Sequence, residues 1–169
     1  IAGFEFCSKL PGTLGGMLAM NAGVKAYEIF DILHSVKIDK TWVLAKDIDH
    51  GYRYAKLNGI ATEARFEIKK GFDRALLDNL LSLRSNQPAA PSAGSVFKNP
   101  KDDYAGRLIE EAGLKGVQKG GMQWSTLHAN FLVNLGNGTF EDSRYLIDLA
   151  KQKVKQRFGI VLEEEIKTL

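Results

Sequence analysis

Residues 85–92, Ser85-Asn86-Gln87-Pro88-Ala89-Ala90-Pro91-Ser92, set two prolines among small and polar side chains. Proline fixes φ and has no amide hydrogen, so neither a helix nor a central strand runs through such a stretch. The stretch therefore reads as a connection between two lobes. Its 169 residues are enough for a buried core without disulfides or metals. With 44% hydrophobic and 25% charged residues it is neither disordered, nor collagenous, nor a disulfide scaffold. The sole cysteine, Cys7, has no partner for an internal disulfide, which suits a reducing compartment. No run of eighteen apolar residues exists, so no spanning helix is expected and no membrane partner. Against 20 acidic residues stand 23 Lys and Arg, a net +3, too mild and too scattered to argue for nucleic acid.

Ahead of the break the pattern predicts a short helical turn, a stop at Pro11-Gly12, a helix or tight coil over 14–21, and strands at 29–38 and 42–45 joined at Asp39-Lys40. Residues 60–69 alternate. Ile60, Thr62, Ala64, Phe66 and Ile68 share one face, with Glu63, Arg65, Glu67 and Lys69 on the other. That period of two predicts a half-buried strand in an antiparallel pairing. Leu76, Leu77, Leu80 and Leu81 place a helix over 73–84. Beyond the break come a strand at 94–100, a helix at 104–112 stopped by Gly113, and a strand at 131–135. A long helix follows over 139–158, from a Thr139…Asp142 capping box to Gly159, and then a strand at 160–166 with three glutamates. This order gives an α+β chain in two lobes rather than a doubly wound parallel sheet.

Several residues could carry chemistry. Pro11, Gly12, Thr13, Gly15 and Gly16, followed by Asn21, Ala22 and Gly23, form a glycine-rich run. Successive backbone N–H groups in such a loop can nest an anion such as a pyrophosphate. It is neither a Rossmann fingerprint nor a Walker A loop, and a glycine turn that simply packs a helix stays open beside it. Ser95 and Asn99 share a strand face and offer a hydroxyl and an amide to one ligand, although either could merely start a strand. Alternation puts Glu163 and Glu165 on one face and Glu164 on the other; one carboxyl would have a raised pKa if that face were buried, or the run could form a solvated edge strand. Arg53 lies between Tyr52 and Tyr54, a fork for a carboxylate or a stacked surface side chain. His128 precedes a buried strand, where it could meet a ligand. No histidine has metal-ligand spacing, so no metal is expected.

The order of these strings is more specific than any one of them. PGTLGG…MNAG, YRY, QPAAPSAGSVFKNP, AGRLIEEAGLKG, HANFLVN and FGIVLEEEI together resemble the UDP-N-acetylenolpyruvoylglucosamine reductases, flavoenzymes of bacterial cell-wall precursor synthesis. The resemblance runs along nearly the whole chain. It implies the later part of a flavin-binding α+β domain over 1–86 and a smaller α+β substrate-binding domain over 87–158. The terminal strand, 159–169, would return toward the flavin side. The first FAD-binding part and its own glycine loop are not in this sequence. The chain begins at Ile1 without a signal-peptide pattern and reads as a piece of a longer protein. The stretch from Arg53 to Ser95 lacks the tyrosine-bearing loop of one branch of the family, so the compact branch is implied.

The resemblance also implies roles. FAD would be the cofactor and NADPH the reductant. A UDP-sugar enolpyruvyl ether would be the substrate, reduced to the lactyl ether in the bacterial cytoplasm. Ser95 matches the proton donor. Arg53 and Glu165 match the two groups that stabilise the developing aci-carboxylate. Tyr52, Asn99 and His128 match substrate-contacting positions, and the loops at 11–16 and 21–23 would line FAD. Where the family has a lysine just before the Gln-Pro step, this chain has Asn86, and Arg84 is the nearby substitute. A chain without the first FAD part is expected to hold no FAD, to be inactive alone, and to self-associate through exposed edges. A non-catalytic nucleotide-binding α+β module is the alternative.

Overall fold

The computed structural model describes residues 2–168, which divide into two units, Ile1–Ser85 and Asn86–Leu169. In the first unit α1 (Leu14–Ala19) follows the Pro11-Gly12 stop. Its N-cap Thr13 accepts the Gly16 amide at 3.2 Å, satisfying one of the amides a helix start leaves bare. A short hairpin, β1 (Gly23–Val24) and β2 (Tyr27–Glu28), comes next. The strand expected over 29–38 starts late. Ile29–Asp31 is a 3-10 turn, because Glu28 and Asp31 close a capping box in which the Glu28 amide donates to Asp31 Oδ2 at 2.7 Å.

β3 (Leu33–Ile38) then turns at Asp39-Lys40 into β4 (Thr41–Leu44), with Asp39 in the left-handed region at φ 52°. A second small hairpin, β5 (His50–Gly51) and β6 (Tyr54–Ala55), precedes β7 (Ala61–Phe66). β7 pairs antiparallel with β3, as its alternation predicts, and the sheet order is β4-β3-β7. The expectation that Ile60 and Ile68 share the core face is overturned, for they are 73% and 72% exposed. The β3–β7 register shifts near both ends of the ladder, and a shift of one residue exchanges faces. Ala61, Ala64 and Phe66 are the β7 residues packed against the core. α2 (Arg74–Ser82), capped by Asp73, buries Leu77 and Leu80.

The second unit begins with β8 (Ser92–Ser95), followed by α3 (Ala105–Glu111). Next comes a hairpin of β9 (Gln118–Lys119) and β10 (Met122–Trp124), and then β11 (Phe131–Asn134). The four strands form one antiparallel sheet in the order β8-β11-β10-β9. The β9–β10 hairpin escapes sequence reading because its strands are only two and three residues long. At its turn a Cβ on Gly121 would stand 2.2 Å from the Gly136 carbonyl oxygen, a close approach only glycine allows.

α4 (Phe140–Phe158) shows the expected cap. The Asp142 amide donates to Thr139 Oγ1 at 3.1 Å and the Thr139 amide to Asp142 Oδ2 at 3.2 Å. Gly159 ends it at φ 72°. Leu146, Ile147, Ala150 and Val154 of α4 meet Leu108, Ile109, Trp124 and Phe97 in the core. The terminal strand expected over 160–166 is instead an extended segment with one bridge, Phe97 to Glu164, because its pairing stops after a few bonds. It packs within the second unit, where Leu162 is buried.

Candidate functional site

Each unit carries its own cluster. In the first, Tyr52 and Arg53 are the two loop residues between β5 and β6. Arg53 holds φ at 60°, a conformation a non-glycine residue adopts at a cost of about 1–3 kcal/mol and one that gathers at functional sites. Its Nη2 donates to the Gly23 carbonyl at 3.0 Å, Nη1 lies 3.7 Å from Glu28 Oε1, and the guanidinium carbon sits 4.8 Å from the Tyr52 ring centre.

Glu28 is held in turn. Its Oε2 accepts from Asn21 Nδ2 at 2.7 Å. Asn21 is fully buried at φ 41°, a left-handed position that asparagine tolerates. Nδ2 also donates to the Gly51 carbonyl at 3.1 Å, and Oδ1 accepts the Phe30 amide at 3.2 Å. Asn21, Glu28 and Arg53 thus form one chain of contacts behind the Tyr52-Arg53 turn. Glu28 was not singled out from sequence; the acidic pair Glu28…Asp31 at capping-box spacing was the available signal.

Pro11, Gly12, Thr13, Gly15 and Gly16 are all exposed. A Cβ on Gly12 would meet nothing within 4 Å, and φ there is 117°. Ala22 uses both backbone groups internally, its amide on Met17 at 2.8 Å and its carbonyl on the Ile29 amide at 2.9 Å. Gly23 is dictated by its own hairpin, since a Cβ would stand 2.1 Å from the Tyr27 oxygen. Arg84 is half-buried beyond α2, donates to the Ser8 carbonyl at 3.3 Å, and has its pKa lowered by that burial. A cavity of about 370 Å³ beside the β3–β4 hairpin is lined by Ile38, Val43, Asp49 and Lys56 among others; none of the residues singled out from sequence lines it.

In the second unit, Ser95 ends β8 opposite Phe131 of β11 and is half-buried. The next residue is tied on both sides. The Val96 amide donates to the Asn130 carbonyl at 2.8 Å, and its carbonyl accepts the Glu165 amide at 2.8 Å. Ser95 and Glu165 therefore lie on adjoining segments of one unit. Asn130, buried, replaces a missing strand partner: its Oδ1 accepts the Phe97 amide at 3.0 Å and its Nδ2 donates to the Phe97 carbonyl at 2.7 Å.

His128 lies just before β11, its Nδ1 accepting the Asn130 amide at 3.2 Å, so the neutral ring carries its proton on Nε2. It packs edge-on to Phe131 at 5.0 Å, and burial lowers its pKa. A Cβ on Gly106 would be 3.1 Å from its Cε1, so a side chain there would press on this ring. Asn99 is exposed, and its Oδ1 accepts the Ala105 amide at 3.1 Å at the start of α3. Asn130, Lys98 and Arg144 were not singled out from sequence, because the partners that matter here, Phe97, Glu163 and Glu164, are distant along the chain. No cluster of three or more His, Cys, Asp or Glu able to hold a metal ion occurs among the described residues. No helix among them is long and apolar enough to cross a membrane.

These features define a class: an antiparallel α+β chain of two units. One unit offers an open glycine loop and a left-handed arginine, the other a serine and a glutamate on adjoining segments. Residues 87–169 match the family model described as UDP-N-acetylenolpyruvoylglucosamine reductase, C-terminal domain. The chain is 46% identical over its whole length to a UDP-N-acetylenolpyruvoylglucosamine reductase of Helicobacter hepaticus, and covers 64% of that protein. It is 48% identical over 98% of its length to one from Campylobacter jejuni, again covering 64% of it. The crystal structure of the Thermus caldophilus reductase superposes with a TM-score of 0.85 at 32% identity, over 98% of this chain and 64% of that one. Residues 87–169 match this family's C-terminal domain, and the chain as a whole spans about 64% of the length of these relatives.

Proposed function

We propose that the full-length protein is a flavin-dependent reductase. It reduces the enolpyruvyl ether of a UDP-N-acetylglucosamine to the lactyl ether of UDP-N-acetylmuramate, at the expense of NADPH, in the bacterial cytoplasm. The observation that carries this reading is 46% identity, along the whole chain, to a relative bearing that name.

The residues present suit FAD in one respect. The loop at 11–16 is exposed and bare of side-chain atoms around Gly12, which lets a pyrophosphate approach the backbone. When bound, FAD supplies the hydride that reaches the vinyl carbon of the substrate. The side chains of this chain manage the charge and the proton. Addition of hydride β to the carboxylate leaves negative charge over Cα and the carboxylate. Arg53 stabilises that charge by charge-assisted hydrogen bonds, with Glu28 and the Gly23 carbonyl fixing the plane of its guanidinium. Ser95 gives its hydroxyl proton to Cα, a downhill transfer because the enolate-like carbon is much the stronger base. Glu165 is the second stabilising group, in its protonated form. Tyr52, Asn99 and His128 contact the substrate. The glycine loops at 11–16 and 21–23 line FAD, and Arg84 takes the place of the lysine that Asn86 replaces.

The test is Ser95→Ala in the full-length, flavin-loaded protein. Flavin reduction by NADPH is expected to stay within twofold of wild type. Reduction of the enolpyruvyl substrate should fall by about 10²–10⁴-fold, the usual worth of a positioned proton donor. Two normal half-reactions would remove Ser95 from the mechanism.

A further inference from the structure

Three consecutive glutamates close the second unit, and only one of them, Glu165, has a role in the function proposed above. The segment that carries them is thinly tethered. The Lys98 amide donates to the Glu163 carbonyl at 2.9 Å and the Glu165 amide to the Val96 carbonyl at 2.8 Å, with a longer bond from the Ile166 amide to Val96 at 3.4 Å. No regular ladder continues on either side of the Phe97–Glu164 bridge.

Side chains secure what the backbone does not. A slip by one residue in one direction would drive Glu163 into the buried slot of Leu162, which is 2% exposed. A slip in the other direction would put Leu162 opposite Lys98, whose Nζ now lies 2.5 Å from Glu163 Oε1. The register is thus set by Leu162 and Lys98, and the remaining freedom is the orientation of the strip.

Glu164 restrains that orientation. Arg144 Nη1 reaches its Oε2 at 2.7 Å and Arg144 Nη2 its Oε1 at 3.3 Å, a two-pronged contact, and Lys151 Nζ bonds the same carboxylate. Arg144 and Lys151 stand two turns apart on α4 and so share one face. Asp148 braces Arg144 at 2.8 Å. Glu164 is 20% exposed and Arg144 30%, which puts the pair partly out of solvent screening.

We propose that Arg144, assisted by Lys151, is a positioning residue: by holding Glu164 on α4 it turns the adjacent Glu165 to the opposite side of the strip, where Glu165 acts on the substrate. This rests on the reading of Glu165 given above. The clamp also neutralises the carboxylate next to Glu165, so the acting group is spared a like charge on its neighbour.

The test uses the full-length, flavin-loaded protein. Arg144→Gln should lower kcat for substrate reduction about tenfold, with flavin reduction by NADPH unchanged. Arg144→Lys should recover part of the loss, and the reversed pair Arg144→Glu with Glu164→Arg should recover more than either single change allows. Independently of activity, amide hydrogen exchange at Glu165 and Ile166 should speed up at least tenfold in Arg144→Gln, with exchange in the α4 core unchanged. Wild-type exchange at those amides, or an equal loss in both half-reactions, would overturn the positioning role. Glu165→Gln separates the two ideas. If that change left substrate reduction intact while Arg144→Gln still loosened the strip, the role of Glu165 would fall and the tether would stand.

Discussion

Asn21 and Arg53 show how much one residue can decide. Both are non-glycine residues in the left-handed region, at φ 41° and 60°. Asn21 spends its amide on Glu28, Gly51 and Phe30 inside the first unit. Asn21→Ala would strand the Phe30 amide and the Gly51 carbonyl, and is expected to cost about 2–3 kcal/mol, read by denaturant unfolding. Arg53 makes the opposite prediction. Arg53→Gly relaxes a strained backbone, so the melting temperature should move little while substrate reduction falls by about 10²-fold or more. A comparable loss of stability and activity would mean that Arg53 is a structural residue. Burial pushes the Cys7 thiol up to about 11, so at neutral pH it is a thiol rather than a thiolate.

At the scale of elements, the terminal strip and α4 are joined by titratable groups. Arg144, and after it Lys151, holds the Glu164 carboxyl below the ordinary carboxylate range. A depressed carboxyl contributes its stability in full above its unfolded value, near 4.5, and loses it as pH falls through the lower folded value. Amide exchange at Glu165 and Ile166, corrected for the intrinsic pH dependence, should therefore be flat from pH 7 to about 5 and loosen below it. A strip equally protected well below that range would show that backbone bonds alone hold it. Elements with strong local signals were legible beforehand. The α4 cap at Thr139, its stop at Gly159 and the Asp39-Lys40 turn all depend on neighbours within four residues. The β9–β10 hairpin and the 3-10 turn at Ile29–Asp31 were not. Their strands or turns are too short for periodicity to register, and the hairpin is completed by bonds to Gly116 and Val117, which lie outside its two strands.

For the whole molecule, the chain spans about 64% of its relatives, and the first unit leaves apolar side chains in the open. Ile60, Ile68 and Phe72 are 73%, 72% and 53% exposed, and β7 is an edge of its sheet. An unpaired edge beside apolar residues invites pairing with another copy. The 169-residue chain is expected to gain mass with concentration in sedimentation runs and to retain no FAD on a desalting column. A monomer at all concentrations, or one-to-one retention of FAD, would refute the two expectations separately.

Sequence alone determined the α+β class, the main helices and the likeness to the reductases, because glycine and hydrophobic period act locally and the matching strings are linear. Only the folded chain decided which groups meet. It set Glu165 beside Val96, stood Asn130 in for a strand partner of Phe97, and fixed Glu28 behind Arg53. Contacts between residues far apart in the chain are selected by the packing of whole units, and no window of sequence carries that information.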